Sequence, residues 1–176
     1  MIQDAQTLKE QSDSFDAIGS GLVLNYIPNK ERAVAELVRV AKKNGTVAAY
    51  VWDYAGEMQW LRIFWDAAVA LDPAVRELDE SVRFPVCKPE PLAALCRAVG
   101  LHSVETRAID VLTVFRDFDD YGSPFLGGPA PAPSYAMSLM EEKRAALREK
   151  ICGSLPICAD GSIHLMARAW GVRGVK

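Results

Sequence analysis

The sequence is short of the features that mark several common functional classes. It has no run of eighteen apolar residues and no basic stretch leading into an apolar one, which argues against a membrane span and a signal peptide. Its lysines and arginines are dispersed and the net charge is -3, so nucleic-acid binding is not expected. The four cysteines form no Cys-x-x-Cys pair and only two histidines accompany them, which disfavours a zinc site. We expect Cys87, Cys96, Cys152 and Cys158 to be reduced thiols of a cytoplasmic protein.

The chain also lacks the glycine-rich turn that usually follows the first strand of a doubly wound α/β sheet. The first strong strand covers residues 15–24, and no strand, Gly-x-Gly-x-x-Gly turn and helix precede it. We therefore expect a sheet without its usual phosphate- or cofactor-binding turn.

What is present predicts alternating strands and helices. The apolar run at 15–24 is typical of a buried parallel strand, and apolar residues recur at helical spacing over 30–43. Asn29 is the predicted N-cap of this helix, and Asn44-Gly45 its predicted end. Residues 46–52 then form a strand, which completes a strand–helix–strand unit.

The second part of the chain predicts further elements of both kinds, and 176 residues suit a single domain over 1–176. We expect helices at 56–71, 89–99 and 137–152, strands at 103–114 and 162–172, and an irregular segment at 116–135.

Three short passages carry a resemblance to a known family. They are Asp4-Ala5-Gln6-x-Leu8, Ser14-Phe15-Asp16, and the passage from Glu36-Leu37-x-Arg39-Val40 to Asn44-Gly45-Thr46. In this order they resemble class I S-adenosylmethionine-dependent methyltransferases of methyltransferase type 11, the ubiquinone/menaquinone methyltransferase-like kind. The resemblance covers nearly the whole chain.

The resemblance implies a fold and an activity. The implied fold is a truncated, Rossmann-like α/β sheet of about four strands in the parent order 4-5-7-6, with the last strand antiparallel and with flanking helices. The implied activity is a transferase that uses S-adenosyl-L-methionine on a small organic acceptor. Because the family's acidic-Gly-x-Gly-x-Gly motif has no counterpart here, we expect weak activity or none from the isolated chain. The alternative is a non-catalytic binding or assembly module derived from the family.

The resemblance also names candidate cofactor residues. Asp4 matches the carboxylate that accepts from the adenine amino group, and Ala5 the residue beside the adenine ring. Ser20, Gly21 and Leu22 match the floor of the cofactor cleft. The other interpretation of Asp4 is a frayed terminal residue.

Candidate acceptor-binding residues are aromatic or acidic. Trp52, Asp53 and Tyr54 follow a predicted strand, where ligands of open α/β sheets bind. Phe118 and Tyr121 lie where the family has a lid over its acceptor. No catalytic residue is identified.

A group of three acids, Asp117, Asp119 and Asp120, is either a metal site or a solvated acidic stretch. The solvated stretch is favoured because no ligand-spaced loop surrounds these residues, and we expect no metal.

The strand at 15–24 would be central in the parent sheet and is expected to be an open edge here. An exposed apolar edge is a pairing site, so we expect a homodimer through this edge or the adjoining face. Two other outcomes stay open: residues 1–14 fold back over the edge, or a separate polypeptide covers it.

Overall fold

The computed structural model describes residues 3–176 and contains a mixed sheet with helices around it. The strands are β1 (Phe15–Gly21), β2 (Ala41–Trp52), β3 (His102–Phe115) and β4 (Ile163–Val175). The helices are α1 (Lys30–Val40), α2 (Gln59–Leu71), α3 (Glu80–Arg83), α4 (Pro89–Ala98), α5 (Phe118–Gly122), α6 (Pro131–Ser138) and α7 (Glu141–Cys152).

Across residues 3–176 the sheet has four strands in the order β1-β2-β4-β3. β1 pairs with β2 in parallel, and β2 pairs with β4 in antiparallel register from Thr46 opposite Val175 to Trp52 opposite Ala169. The order and the antiparallel last strand confirm the predicted α/β sheet 4-5-7-6.

The chain divides into two compact units. The first unit contains the described residues up to Asp53, with Pro85–Ile109 and Ala169–Lys176. The second unit contains Tyr54–Phe84 and Asp110–Arg168. The expectation of one domain over 1–176 stays a prediction.

The predicted strand–helix–strand unit is present, with two shifted boundaries. The Asn29 side chain caps α1 by accepting from the Arg32 N–H at 2.8 Å, as predicted. α1 ends at Val40 rather than at residue 43, because the chain enters β2 directly. Asn44 has a left-handed φ of 63°, but it lies in an irregular stretch of β2 and does not cap the helix.

β1 is also shorter than its predicted span of 15–24. It ends at Gly21, Leu22 has a φ of 55°, and a 3₁₀ turn follows at Leu24–Tyr26. The buried core of the first unit is built from β2, α1, α4 and the 3₁₀ turn. Its members include Leu24, Ala33, Val34, Val40, Val47, Val51, Leu92 and Cys96.

The second unit is mainly helical, and here one prediction was wrong. The segment 116–135 is not irregular, since it contains α5, a 3₁₀ turn at Ser123–Leu126 and the start of α6. The helix predicted at 137–152 is split between α6 and α7. Phe64 and Trp65 of α2 are buried in the core of this unit.

In the described part of the chain, no helix is both long enough and apolar enough to cross a membrane.

Candidate functional site

The first unit has a cavity of about 320 Å³ beside the carboxyl end of β1, which we call the β1 cavity. Asp4, Ala5 and Ser20, three of the five predicted cofactor residues, line it together. Gly21 and Leu22 do not line it. A Cβ at Gly21 would lie 2.5 Å from the Tyr50 hydroxyl, and the Leu22 N–H donates to the Tyr50 carbonyl at 2.8 Å.

Asp4 lies in an ordered turn. Its Oδ1 accepts from the backbone N–H of Gln6 at 2.9 Å and from the Gln6 side-chain amide at 3.1 Å. The backbone hydrogen bond, followed by the side-chain one, lowers the pKa of this carboxyl below its ordinary value. Arg32 of α1 donates to the Gln6 carbonyl at 2.9 Å, which fastens the turn to the helix. Asp4 therefore lies in a hydrogen-bonded turn rather than in a frayed terminus, and its role in a cofactor site stays a prediction.

The composition of the β1 cavity limits what it can hold. Its walls are largely apolar, and Asp4 is the one charged residue among the described residues that line it. The exposed Asp4 carboxylate lies beside these walls. This arrangement suits a flat ring that carries an amino group. No cation of the lining could pair with a ligand carboxylate. The apolar wall residues are Val23, Leu24, Ile27, Ala33 and Leu37.

The predicted acceptor residues at the end of β2 fall on both sides of the division between units. Trp52 and Asp53 close a segment of the first unit, and Asp53 is buried. Tyr54 begins the second unit, is buried, and has its ring centroid 5.7 Å from that of Phe84.

The other two predicted acceptor residues line a second cavity, which lies wholly within the second unit. This α5–α7 cavity has a volume of about 370 Å³, and Phe118 and Tyr121 are in its wall. Tyr121 is fully buried, and its hydroxyl donates to the Trp60 carbonyl at 2.9 Å. Burial raises the pKa of this phenol, so it stays protonated at neutral pH.

Sequence reasoning missed several residues of the α5–α7 cavity. Phe125 lies in the segment predicted to be irregular, and Leu147 and Ile151 are not among the predicted site residues. The four-residue spacing of Leu147 and Ile151 was the available signal, because it places both on one face of α7. Phe64, which is buried in the core of the second unit, lines this cavity as well.

The three acids at 117–120 have structural partners. Asp117 caps α5 by accepting from the Asp120 N–H at 2.8 Å, and Asp120 pairs with Arg116 at 3.0 Å. Asp119 pairs with Arg148 at 3.0 Å. Residues 3–176 contain no group of three acidic, histidine or cysteine side chains placed to hold a metal ion.

The cysteines are free thiols. Burial raises the pKa of Cys87 to about 12 and that of Cys96 to about 11, so neither is a thiolate nucleophile at neutral pH.

Comparison with known proteins identifies the fold. Residues 1–49 match the family described as "Methyltransferase domain". No curated protein matches the chain.

Three solved structures share the fold. They are a protein of Bacillus halodurans assigned as a methyltransferase (14% identity, TM-score 0.54), the YcgJ protein of Bacillus subtilis (20%, 0.51), and a protein of Anabaena variabilis assigned as a methyltransferase of an antibiotic biosynthesis pathway (15%, 0.53). They cover 99%, 98% and 95% of this chain, and the chain covers 69%, 68% and 70% of them. The fold of this chain is that of class I methyltransferases.

Proposed function

We propose that this chain binds the adenosine end of S-adenosylmethionine in the β1 cavity, as part of a methyltransferase that acts on a small organic molecule. The proposal rests on one observation, which is that Asp4, Ala5 and Ser20 line the same cavity. All three residues lie within the segment that matches the methyltransferase domain.

The residues present fit the adenine ring of this cofactor. The apolar walls would pack on the ring, and the Asp4 carboxylate would accept from its amino group. Gln6 bonds chiefly to Oδ1 of Asp4 and reaches Oδ2 only at 3.4 Å, so Oδ2 keeps acceptor capacity for a ligand. When bound, the cofactor supplies an electrophilic methyl group on a sulfonium.

The same residues include no group that would bind the amino-acid end of the cofactor. The described lining has no cation for the ligand carboxylate, so binding would depend on the adenosine part. A single charge-assisted hydrogen bond contributes roughly 1.5–3 kcal/mol, and less where water reaches it. Weak binding and slow methyl transfer by the isolated chain follow from this.

Methyl transfer needs the acceptor to be held in line with the sulfonium, and water to be excluded, more than it needs reactive side chains. Trp52, Asp53, Tyr54, Phe118 and Tyr121 remain our proposed acceptor residues. The support for Phe118 and Tyr121 is their place in the α5–α7 cavity. For the other three it is their position directly after β2 or at its end.

Calorimetry with adenosine and S-adenosylhomocysteine tests the proposal. We expect both ligands to bind with dissociation constants within about tenfold of each other, a difference of ~1.4 kcal/mol, because the homocysteine part finds no ionic partner. Asp4→Asn should weaken both by about tenfold, since Asn still supports the local turn but accepts less strongly. Glu142→Gln, at an exposed position on α7, is the matched control.

The proposal fails if neither ligand binds, or if Asp4→Asn and the control behave alike. An absence of heat with both ligands would favour the second candidate function, a non-catalytic assembly module. The exposed edge strand β1 is the observation that supports this alternative.

A further inference from the structure

We propose that the α5–α7 cavity binds a flat aromatic molecule that carries one anionic group, with the anion placed at Arg148. The binding does not depend on the cofactor, whereas identifying this ligand with the methyl acceptor rests on the proposed function. The cavity lies within the second unit, and none of its lining residues belongs to the β1 cavity.

One wall of the cavity is lined by the aromatic rings of Phe64, Tyr121 and Phe125. The Phe125 ring stacks on Phe64 with 4.4 Å between centroids, and on Trp60 with 4.5 Å. The Tyr121 ring lies 5.7 Å from Phe125. Leu147 and Ile151 of α7 are buried and also line the cavity. Such a wall favours a flat, apolar ligand, because aromatic rings gain from offset and edge contacts beyond simple burial.

The polar groups of this lining are already bonded within the protein. The Tyr121 hydroxyl donates to Trp60, and the Ser123 hydroxyl donates to the Asp120 carbonyl at 3.2 Å. Arg144 donates to the carbonyls of Ala136 and Leu139 at 3.2 and 2.7 Å and pairs with Glu141. A ligand with polar groups on its buried part would therefore lose hydrogen bonds to water without replacing them.

Arg148 is the cation that can form an ion pair with an anionic group of the ligand. Its guanidinium lies over the Phe118 ring, 4.4 Å from the centroid, at the wall of the cavity. Its ionic partner is Asp119, and the two side chains are 60% and 83% exposed. Exposed ion pairs contribute little to stability, so a ligand anion can displace the Asp119 carboxylate at small cost. Glu141, the other acid of the lining, is paired with Arg144.

The volume agrees with this ligand class. A cavity of about 370 Å³ lies at the lower end of the range of small-molecule pockets, roughly 300–1,000 Å³. It admits a two-ring aromatic body, and we use 2-naphthoate as the probe. The uncharged analogue 2-naphthalenemethanol has the same ring system without the anion.

The first test blocks the cavity. We expect saturable calorimetric binding of 2-naphthoate to the unmodified chain, and a loss of at least about tenfold in affinity for Ala145→Phe, whose new ring would enter the cavity. Ala146→Phe is the matched control, because this neighbour is exposed on the same helix and does not line the cavity. Absence of saturable binding, or equal effects of the two variants, would overturn the proposal.

The second test removes the charge. Arg148→Met should abolish the preference for 2-naphthoate over 2-naphthalenemethanol, whereas Lys143→Met, at an exposed position of α7 outside the lining, should keep it. Circular dichroism of each variant confirms that it folds. A preference that survives in Arg148→Met contradicts the role of Arg148.

Binding of 2-naphthoate and of S-adenosylhomocysteine are separate measurements, so one proposal can fail without the other. If 2-naphthoate binds and S-adenosylhomocysteine does not, the cavity inference holds and the proposed cofactor site fails. The reverse result keeps the cofactor site and overturns the inference.

Discussion

At the scale of single residues, the second unit contains buried and half-buried polar groups that pair with one another. Arg62 donates to both carboxylate oxygens of Asp79 at 2.9 and 2.7 Å, and the Trp65 indole N–H donates to Glu80 Oε2. Glu80 is only 3% exposed. Burial raises the pKa of its carboxyl above the ordinary value. Glu80 therefore costs stability when it ionises, although it supplies the acceptor that the buried indole needs.

This pKa shift predicts a pH-dependent effect of Glu80→Gln. Since the folded-state pKa lies above the unfolded one, the unmodified chain loses stability as pH rises from the ordinary glutamate value through the folded value. Gln keeps an oxygen acceptor for Trp65 but cannot ionise. We expect the melting temperature of Glu80→Gln minus that of the unmodified chain to be larger at pH 7 than at pH 4.

Thermal unfolding followed by circular dichroism measures this difference across pH. Glu142→Gln is the control, because residue 142 is exposed and its substitution should give a flat difference. A flat difference for Glu80→Gln as well would show that ionisation of Glu80 does not affect folding.

At the scale of elements, the least regular feature is the stretch of β2 opposite the start of β1. Phe15 pairs with Ala41 and Ala17 with Thr46, so β2 has additional residues between these two pairs. Asn44 adopts its left-handed conformation here, and the Gly45 carbonyl accepts from the Lys176 N–H at 3.0 Å. The bulge is thus fixed by backbone contacts.

Gly45→Ala should be clearly destabilising. A Cβ at this position would lie 2.8 Å from the Lys42 carbonyl oxygen and 3.2 Å from that of Asp16, and backbone atoms cannot move aside easily. We expect a loss of ~1–3 kcal/mol in the free energy of unfolding, the usual range for overpacking. Chemical denaturation provides the measurement.

Gly19→Ala is the comparison for this prediction, because a Cβ at Gly19 would have no atom within 4 Å. Its free energy of unfolding should stay equal or rise by ~0.4–1 kcal/mol. If the two alanine variants have equal stability, the close backbone contacts in the bulge do not explain why position 45 is glycine.

The same bulge shows why part of the fold escapes prediction from sequence. The apolar spacing of α1 and the Asn29 cap are local signals, and both were correct. The Asn44-Gly45 pair predicts a helix end, but Asn44 adopts its left-handed conformation within β2 instead. Both structures use the same local conformation, and only the pairing with β1, which is distant in sequence, decides between them.

The segment 116–135 was mispredicted for a related reason. α5 has five residues and α6 has eight, too short to be stable alone. Their stability comes from packing, such as the stacking of Phe125 on Trp60 and Phe64, which a sequence does not reveal. The proline at position 131 indicated a loop but occupies the first turn of α6, where proline is well tolerated. The α5–α7 cavity could not be predicted without these helices.

At the scale of the whole molecule, β1 is an edge strand of the sheet. This strand ends the sheet, and most of its residues are exposed, including Phe15 at 42%. The segment before it bonds to α1, with the Leu8 N–H donating to Glu36 and Arg39 donating to the Leu8 carbonyl. A groove of about 440 Å³ remains between this segment and β1. We propose that a second copy of the chain pairs with this edge.

Gly19→Lys tests the homodimer directly. A side chain at Gly19 meets open space in the single chain and requires no unusual backbone angle, so folding should be preserved. In a dimer formed through β1 the new charge would have to be desolvated, and lysine on an edge strand is a known barrier to strand pairing. Light scattering after gel filtration should give a dimer mass for the unmodified chain and a monomer mass for the variant.

Gly127→Lys is the control, because position 127 is also extended and open but lies in the second unit. This variant should still form the dimer. A monomeric unmodified chain, or a Gly19→Lys variant that still dimerises, would show that β1 is not the pairing surface.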